Sequence, residues 1–403
     1  MIWNDDLELI FQEYLPKYQS ELKSFKTSNL KQLILKASKE AKKHYEKLPK
    51  IKTCSSRTYI KLWTRDKIAE NLASKTIKKV SLSKPSLTHG ASVKYYSLIP
   101  YEMHYVYRKE LFDANPKDRE KVWKSFGLSE TEIENKFRGL VVEHIDYAIK
   151  KRFPSYVEMV LEKDKISHST YKCFTKNINR AISYCNQHLP KDGNLPNWFY
   201  SKFNMPCYVC RLSQFPFNTQ DEVLDSTIKE RNILKKYKDK IIIKHGNFSR
   251  MRYQPEFDSF DIEINNNGNF RHQSLDLIHE LGHTINYLNY FKKGIDPREK
   301  SAHEREKETF IIEFNLKKSI SLSLYYASLD TVLLTLRRAL FEIGLYSNPD
   351  QNLRKLYADT FNQCFNKAKQ TSNPLFFLDD RISLKPLSSL PHAIALTEIL
   401  NKD

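Results

Sequence analysis

The chain has 403 residues, 40% apolar and 28% charged, with 23 Phe, 23 Tyr and 4 Trp. That much apolar and aromatic surface excludes a disordered chain, because its burial offsets the entropy of ordering. Only 9 residues are Gly, about 2% against a usual value near 7%, which disfavours glycine-rich phosphate loops and collagen-like arrays and favours helices. The net charge is +18, and residues 1–100 hold 20 Lys/Arg against 9 Asp/Glu. Such asymmetry suits Lys-rich solvated helix faces, or contact with an acidic partner. No zinc-finger or RNA-binding pattern accompanies it, so nucleic acid is the less favoured partner.

No transmembrane span is expected: the apolar stretch Leu329 to Leu345 is interrupted by Arg337, Arg338 and Glu342. The start Met1-Ile2-Trp3-Asn4-Asp5-Asp6 has neither a basic nor an apolar segment. It therefore predicts no cleavable secretion signal and a cytoplasmic location, with signal-independent export as the alternative. Six cysteines (54, 173, 185, 207, 210, 364) in so long a chain form no disulfide framework. Cys207-Tyr-Val-Cys210 has no second pair, and unpaired thiols are expected.

In chain order, residues 5–49 carry helical periodicity (Leu7, Ile10, Phe11, Tyr14; Leu30, Leu33, Ile34), and residues 76–100 read as a long connection. Ser129-Glu130-Thr131-Glu132 resembles a capping box. The boundary is placed there: a basic helical domain over 1–128 and a second domain over 129–403. Helices are predicted over 130–188 and 220–238, with a loop-rich segment over 190–216 between them. Residues 240–244 and 258–264 are the strand candidates, the second ending at the turn Asn265-Asn266-Asn267-Gly268. Beyond it the pattern is helical to about residue 370.

The chemistry concentrates in a helix expected to run from an N-cap at Ser274 to a stop at Gly294. It contains His279-Glu280-Leu281-Gly282-His283. Histidines at i and i+4 share a helical face and can reach one zinc ion, while Glu280 stands where it can take a proton from metal-bound water. A zinc hydrolase of this kind lays its substrate along an edge strand, the role expected of residues 258–264. A catalytic zinc site needs a third ligand. No third histidine follows closely, and Glu304, Glu306 and Glu308 are available. A helical wheel puts Glu308 on the buried side with Ile312, and Glu306 on a more solvated side with Glu313 and Lys317.

These segments resemble the thimet oligopeptidase and oligoendopeptidase F family of zinc peptidases (HExxH…E). The resemblance rests on Phe153 to Ile166 with Tyr171, Phe260 to Asn265, Leu275 to His279, Leu329 to Arg338, and Leu390-Pro391-His392. It covers about residues 130–400. It implies a mostly α, two-lobed metallopeptidase with a small β-sheet beside the HExxH helix and the active site in the cleft. It implies one zinc ion per chain, held by His279, His283 and a glutamate about two dozen residues further on. In the family that glutamate is followed by a hydroxyl residue three positions on and a second Glu seven positions on. Glu306 has Thr309 and Glu313 at those places but stands 23 residues beyond His283; Glu308 stands 25 beyond but has Ile311 and Asn315. The neighbours favour Glu306, with Glu308 the alternative. The resemblance also makes His392 a donor to the reaction's oxyanion, beside tyrosines of the C-terminal helix. Here Ala393 to Leu400 contains no tyrosine, so Tyr325 or Tyr326 would have to substitute, or turnover is weak. The residues before 129 match nothing in the family.

The leading expectation is a zinc endopeptidase acting on peptides, acidic ones favoured by the basic N-terminal region. The alternatives are a zinc-holding binding protein with poor catalysis and, less favoured, a nucleic-acid-binding protein.

Overall fold

The computed structural model of the chain describes residues 27–48, 53–64, 67, 130–189, 208–209, 212–246, 249–265, 269–366, 382 and 386–401. The boundary near residue 128, the Ser129 cap and both cysteines of the Cys207–Cys210 pair lie outside the described residues.

Among these residues the fold is mostly α, as the sequence implies. Helix α1 (Thr27–Lys47) buries Ile34, Ala37 and Ala41, and residues 53–64 bury Tyr59, Leu62 and Trp63 against the same core as the rest of the chain. The long helical region expected after residue 130 is three helices: α2 (Glu130–Lys150), α3 (Tyr156–Lys163) and α4 (His168–His188). Left-handed residues interrupt it, Arg152 at φ 65 and Lys165 at φ 56. Ser155 and Ser167 then cap the two restarts through side-chain acceptors. The helix expected over 220–238 also divides. After α5 (Gln220–Glu230) the backbone leaves the helix at Arg231, and a 3-10 segment follows (Asn232–Lys240).

Three strands follow, β1 (Ile241–Gly246), β2 (Arg250–Gln254) and β3 (Ser259–Asn265), in the order β1-β3-β2. β3 pairs parallel with β1 (Ile243 opposite Ile262) and antiparallel with β2 (Met251 opposite Ile262). This corrects the expected edge strand: residues 259–265 form the central strand, and the edge nearest the following helix is β2. β2 escapes sequence reading because Arg250-Met251-Arg252-Tyr253-Gln254 has little apolar content. On β3, Phe260, Ile262 and Ile264 are fully buried, while Asp261 pairs with Lys244 (3.0 Å) and Glu263 with Arg250 (2.5 Å). Alternation at period two separates the core face from the charged one.

The apolar face of β3 supports α6 (Phe270–Lys292). Its cap is Asn269, which accepts from the His272 amide, rather than Ser274, whose hydroxyl donates to the Phe270 carbonyl inside the helix. Its end agrees with expectation: Gly294 has φ 70, a conformation glycine adopts freely. A capping box at Ser301 starts α7 (Ala302–Ile320), then come α8 (Leu322–Ala327), α9 (Leu329–Ser347), α10 (Leu353–Cys364) and α11 (Leu390–Leu400). No helix among the described residues is long and apolar enough to cross a membrane. Cys54, Cys173, Cys185 and Cys364 are free thiols.

Asp258 closes the β2–β3 turn at φ 50 and is 1% exposed. Its carboxylate accepts from the Thr53 amide (3.2 and 3.1 Å) and the Tyr253 hydroxyl (2.6 Å), and it pairs with Lys240. One buried charge thus ties residues 53–64 to the sheet. Asp258→Ala should lower the unfolding free energy in urea by about 3–5 kcal/mol, because it strands these donors in the interior. A loss under about 1 kcal/mol would show that the node contributes little.

Candidate metal centre

Helices α6 and α7 pack face to face, and the contact turns on Gly282. A Cβ at that position would lie 3.1 Å from Thr309 Cγ2 and 3.4 Å from the Thr309 carbonyl oxygen. The close approach brings His279 and His283 of α6 against Glu306 of α7. His279 Nε2 stands 3.5 Å from Glu306 Oε2, and His283 Nε2 stands 3.4 Å from Glu306 Oε1. Donor atoms of the three residues all lie within 4.8 Å of one another.

The other ring nitrogens are engaged. His279 Nδ1 donates to Glu313 Oε2 (2.7 Å), and His283 Nδ1 lies 2.9 Å from the Thr309 hydroxyl. With protons on both Nδ1 atoms, both Nε2 lone pairs face Glu306, the tautomer a metal ligand requires. Glu313 in turn pairs with Lys317, which is 3% exposed. Burial alone would raise the Glu313 carboxyl, but Lys317 and His279 outweigh it and hold it at about 2. Burial likewise opposes charge on Glu306, and His392, His283 and His279 together keep its carboxyl well below the ordinary range. Burial lowers both imidazoles. At His283 it prevails, to about 4; at His279 Glu313 and Glu306 overcome it and raise the ring well above its usual value.

Two imidazoles and a carboxylate are a donor set of catalytic zinc sites. The contacts of 3.5 Å to Oε2 and 3.4 Å to Oε1 reach the two oxygens of one carboxylate, so both imidazoles face Glu306. Glu306 Oε2 is buried and accepts no hydrogen bond. The residues present fit the ion.

Glu280 is 5% exposed and turns to the sheet side, where the Met251 amide of β2 donates to its carboxyl. Burial pushes that carboxyl up to about 8, against the pull of His279 and the Met251 amide. The base candidate is thus held against the edge strand, beside the three clustered donors.

The other candidates part company. Glu304 is consumed by the capping box, accepting from the Ser301 amide at 2.9 Å. Glu308 is exposed and lies outside the cluster. The helical wheel is thereby reversed: the face bearing Glu306, Glu313 and Lys317 is the buried one. It looks solvated in sequence because its charges neutralise one another at i,i+4 spacing. His392, on α11, reaches the cluster with Nε2 3.5 Å from Glu306 Oε2. The Tyr325 hydroxyl meets that of Tyr184 at 3.1 Å, and the Tyr326 ring stacks on His188 at 5.2 Å. Sequence reading had no hold on Lys317 as a buried partner or on the contact at Gly282; only the Glu306, Thr309, Glu313 spacing hinted at the supporting residues.

No family model matches the chain, and no curated protein matches it by sequence. Solved structures do match. One assigned as an oligoendopeptidase F superposes with TM-score 0.51 at 11% identity, covering 99% of this chain and 76% of that one. PZ peptidase A, determined with an inhibitor, gives TM-score 0.50 at 14% identity over 99% of this chain and 74% of that one. A chain assigned as a peptidase from Chlamydophila abortus gives TM-score 0.50 at 16% identity, covering 98% and 74%. The chain therefore has the fold of the oligoendopeptidase F-type peptidases.

Proposed function

We propose that the chain is a zinc-dependent endopeptidase or oligopeptidase, with His279, His283 and Glu306 as the metal ligands and Glu280 as the general base. The observation that carries this reading is the convergence of the three donors with Glu280 beside them at a sheet edge, within a peptidase fold. A bound zinc ion supplies Lewis acidity, activating water at neutral pH and polarising the scissile carbonyl. Glu280 takes the proton of the attacking water and returns it to the leaving amine. The Met251 amide holds the Glu280 carboxyl in place for both transfers. The substrate backbone runs along the edge strand β2. His392, at the rim of the cluster, is the donor available to the developing oxyanion. Glu313 and Thr309 fix the two imidazoles through Nδ1.

Peptides are the substrates, and the charge of +18 favours acidic ones. A second reading has one observation in its favour: α11 carries no tyrosine, which suits a zinc-holding binding protein with little turnover.

Glu280→Gln should retain zinc yet lose peptide cleavage by at least about 100-fold in kcat, and chelator should abolish wild-type cleavage. A Glu280→Gln protein within a few-fold of wild type would contradict the mechanism; a zinc-loaded wild type that cleaves no peptide in a broad library would favour the second reading. Glu313→Gln should weaken zinc binding in chelator competition by about 10–100-fold. Unchanged affinity would remove Glu313 from the support of His279. Cleavage of acidic peptides should fall more steeply with salt than that of matched basic ones; equal salt dependence would refute the charge preference.

A further inference from the structure

Helix α11 is buried almost all round: Ala393, Ile394, Ala395, Leu396 and Leu400 are each no more than 2% exposed. Apolar burial is non-directional, so it does not by itself set the rotation of this helix. A slip of one residue would turn His392 by about 100° and carry it out of reach of Glu306. Among the described residues, polar contacts besides that of His392 include the following three. Before the helix, Leu387 adopts φ 57 and its amide donates to the buried Glu342 carboxylate at 2.6 Å. At the C-cap, Asn401 donates to the Asn177 carbonyl of α4 at 3.3 Å. Between them, Glu398 Oε2 meets Lys307 Nζ at 2.5 Å and His303 Nε2 at 3.2 Å. The Glu398 side chain is 19% exposed. Its carboxyl remains below the ordinary range, because Lys307 and His303 outweigh the opposing effect of burial.

Lys307 and His303 flank Glu306 on α7, within one helical turn of it. A single turn of α7 therefore receives both His392 and Glu398 from α11. Ser389 makes no side-chain cap at the helix start. The ion pair between Glu398 and α7 is thus a second polar link, besides that of His392, between α11 and the helix bearing Glu306.

We propose that Glu398 is a positioning residue for His392: its link to Lys307 and His303 sets the rotation of α11 and so holds the His392 imidazole against Glu306. This rests on the proposed peptidase activity. Glu398 touches neither the substrate nor the metal, and it acts through His392 alone. Coupling between the two residues follows, since removing the positioning residue has no further effect once the positioned one is gone.

The test is a double-mutant cycle on the zinc-loaded full chain, using Glu398→Gln, His392→Ala and the double variant, with peptide cleavage as readout. Lys307→Met approaches the same link from α7. Glu398→Gln and Lys307→Met should each lower kcat about tenfold, with KM within about twofold of wild type. In the His392→Ala background Glu398→Gln should change kcat by less than about twofold. Losses that multiply in the double variant, or a Glu398→Gln protein with wild-type kcat, would overturn the proposal. A second readout is independent of turnover. In protein labelled at histidine, the ring resonance missing from His392→Ala should shift in Glu398→Gln, and an unmoved resonance would overturn the positioning role. Wild type inactive on every peptide would refute the peptidase reading, while the resonance shift would still decide whether Glu398 positions His392.

Discussion

A buried carboxylate cannot stand uncompensated, and Glu306 is the one around which this molecule is arranged. Its Oε2 is sequestered without a hydrogen bond, and three imidazole Nε2 atoms from two helices approach the carboxylate at 3.4 to 3.5 Å. One partner withdrawn from such a network leaves a charge whose desolvation exceeds the worth of any single contact. The second carboxylate, Glu313, is neutralised by Lys317 and so does not share the deficit. His392, His283 and His279 together hold the Glu306 carboxyl below its ordinary range, and a zinc ion is the occupant proposed for the space between His279, His283 and Glu306.

The surrounding fold reads as support for that arrangement. Gly282 sets the distance between α6 and α7, and any side chain there would press on Thr309, the residue that orients His283. The buried face of β3 holds α6 level, so that the edge strand β2 meets Glu280 through the Met251 amide. Asp258, at the turn leading from β2 into β3, anchors residues 53–64 to the same sheet. α11 then packs on α7, bringing His392 in from a remote part of the chain. These polar contacts are directional, whereas the apolar packing around them is not.

Much of this is legible in the sequence where local rules suffice. The i,i+4 histidines, the stop at Gly294 and the helical character of residues 270–347 follow from periodicity and from backbone freedom at glycine. Three features lie beyond local rules. β2 is missed because an exposed edge strand rich in Arg and Gln need not show an apolar pattern, and without it β3 looks like the edge. The start of α6 is misplaced because Asn269 belongs to a polar run that reads as turn. The buried face of α7 is mistaken for the solvated one because Glu313 and Lys317 neutralise each other, and a wheel sees charge without seeing pairing. Only the spacing of Glu306, Thr309 and Glu313, read through a family resemblance, pointed to the buried side of that helix.

The most direct test of the central claim is anomalous diffraction at the zinc edge from crystals of the full chain grown with zinc. The account predicts one strong peak per chain within about 2.0–2.2 Å of His279 Nε2, His283 Nε2 and a Glu306 oxygen. A peak coordinated by Glu308 in place of Glu306, or zinc bound only at other surface groups, would contradict it.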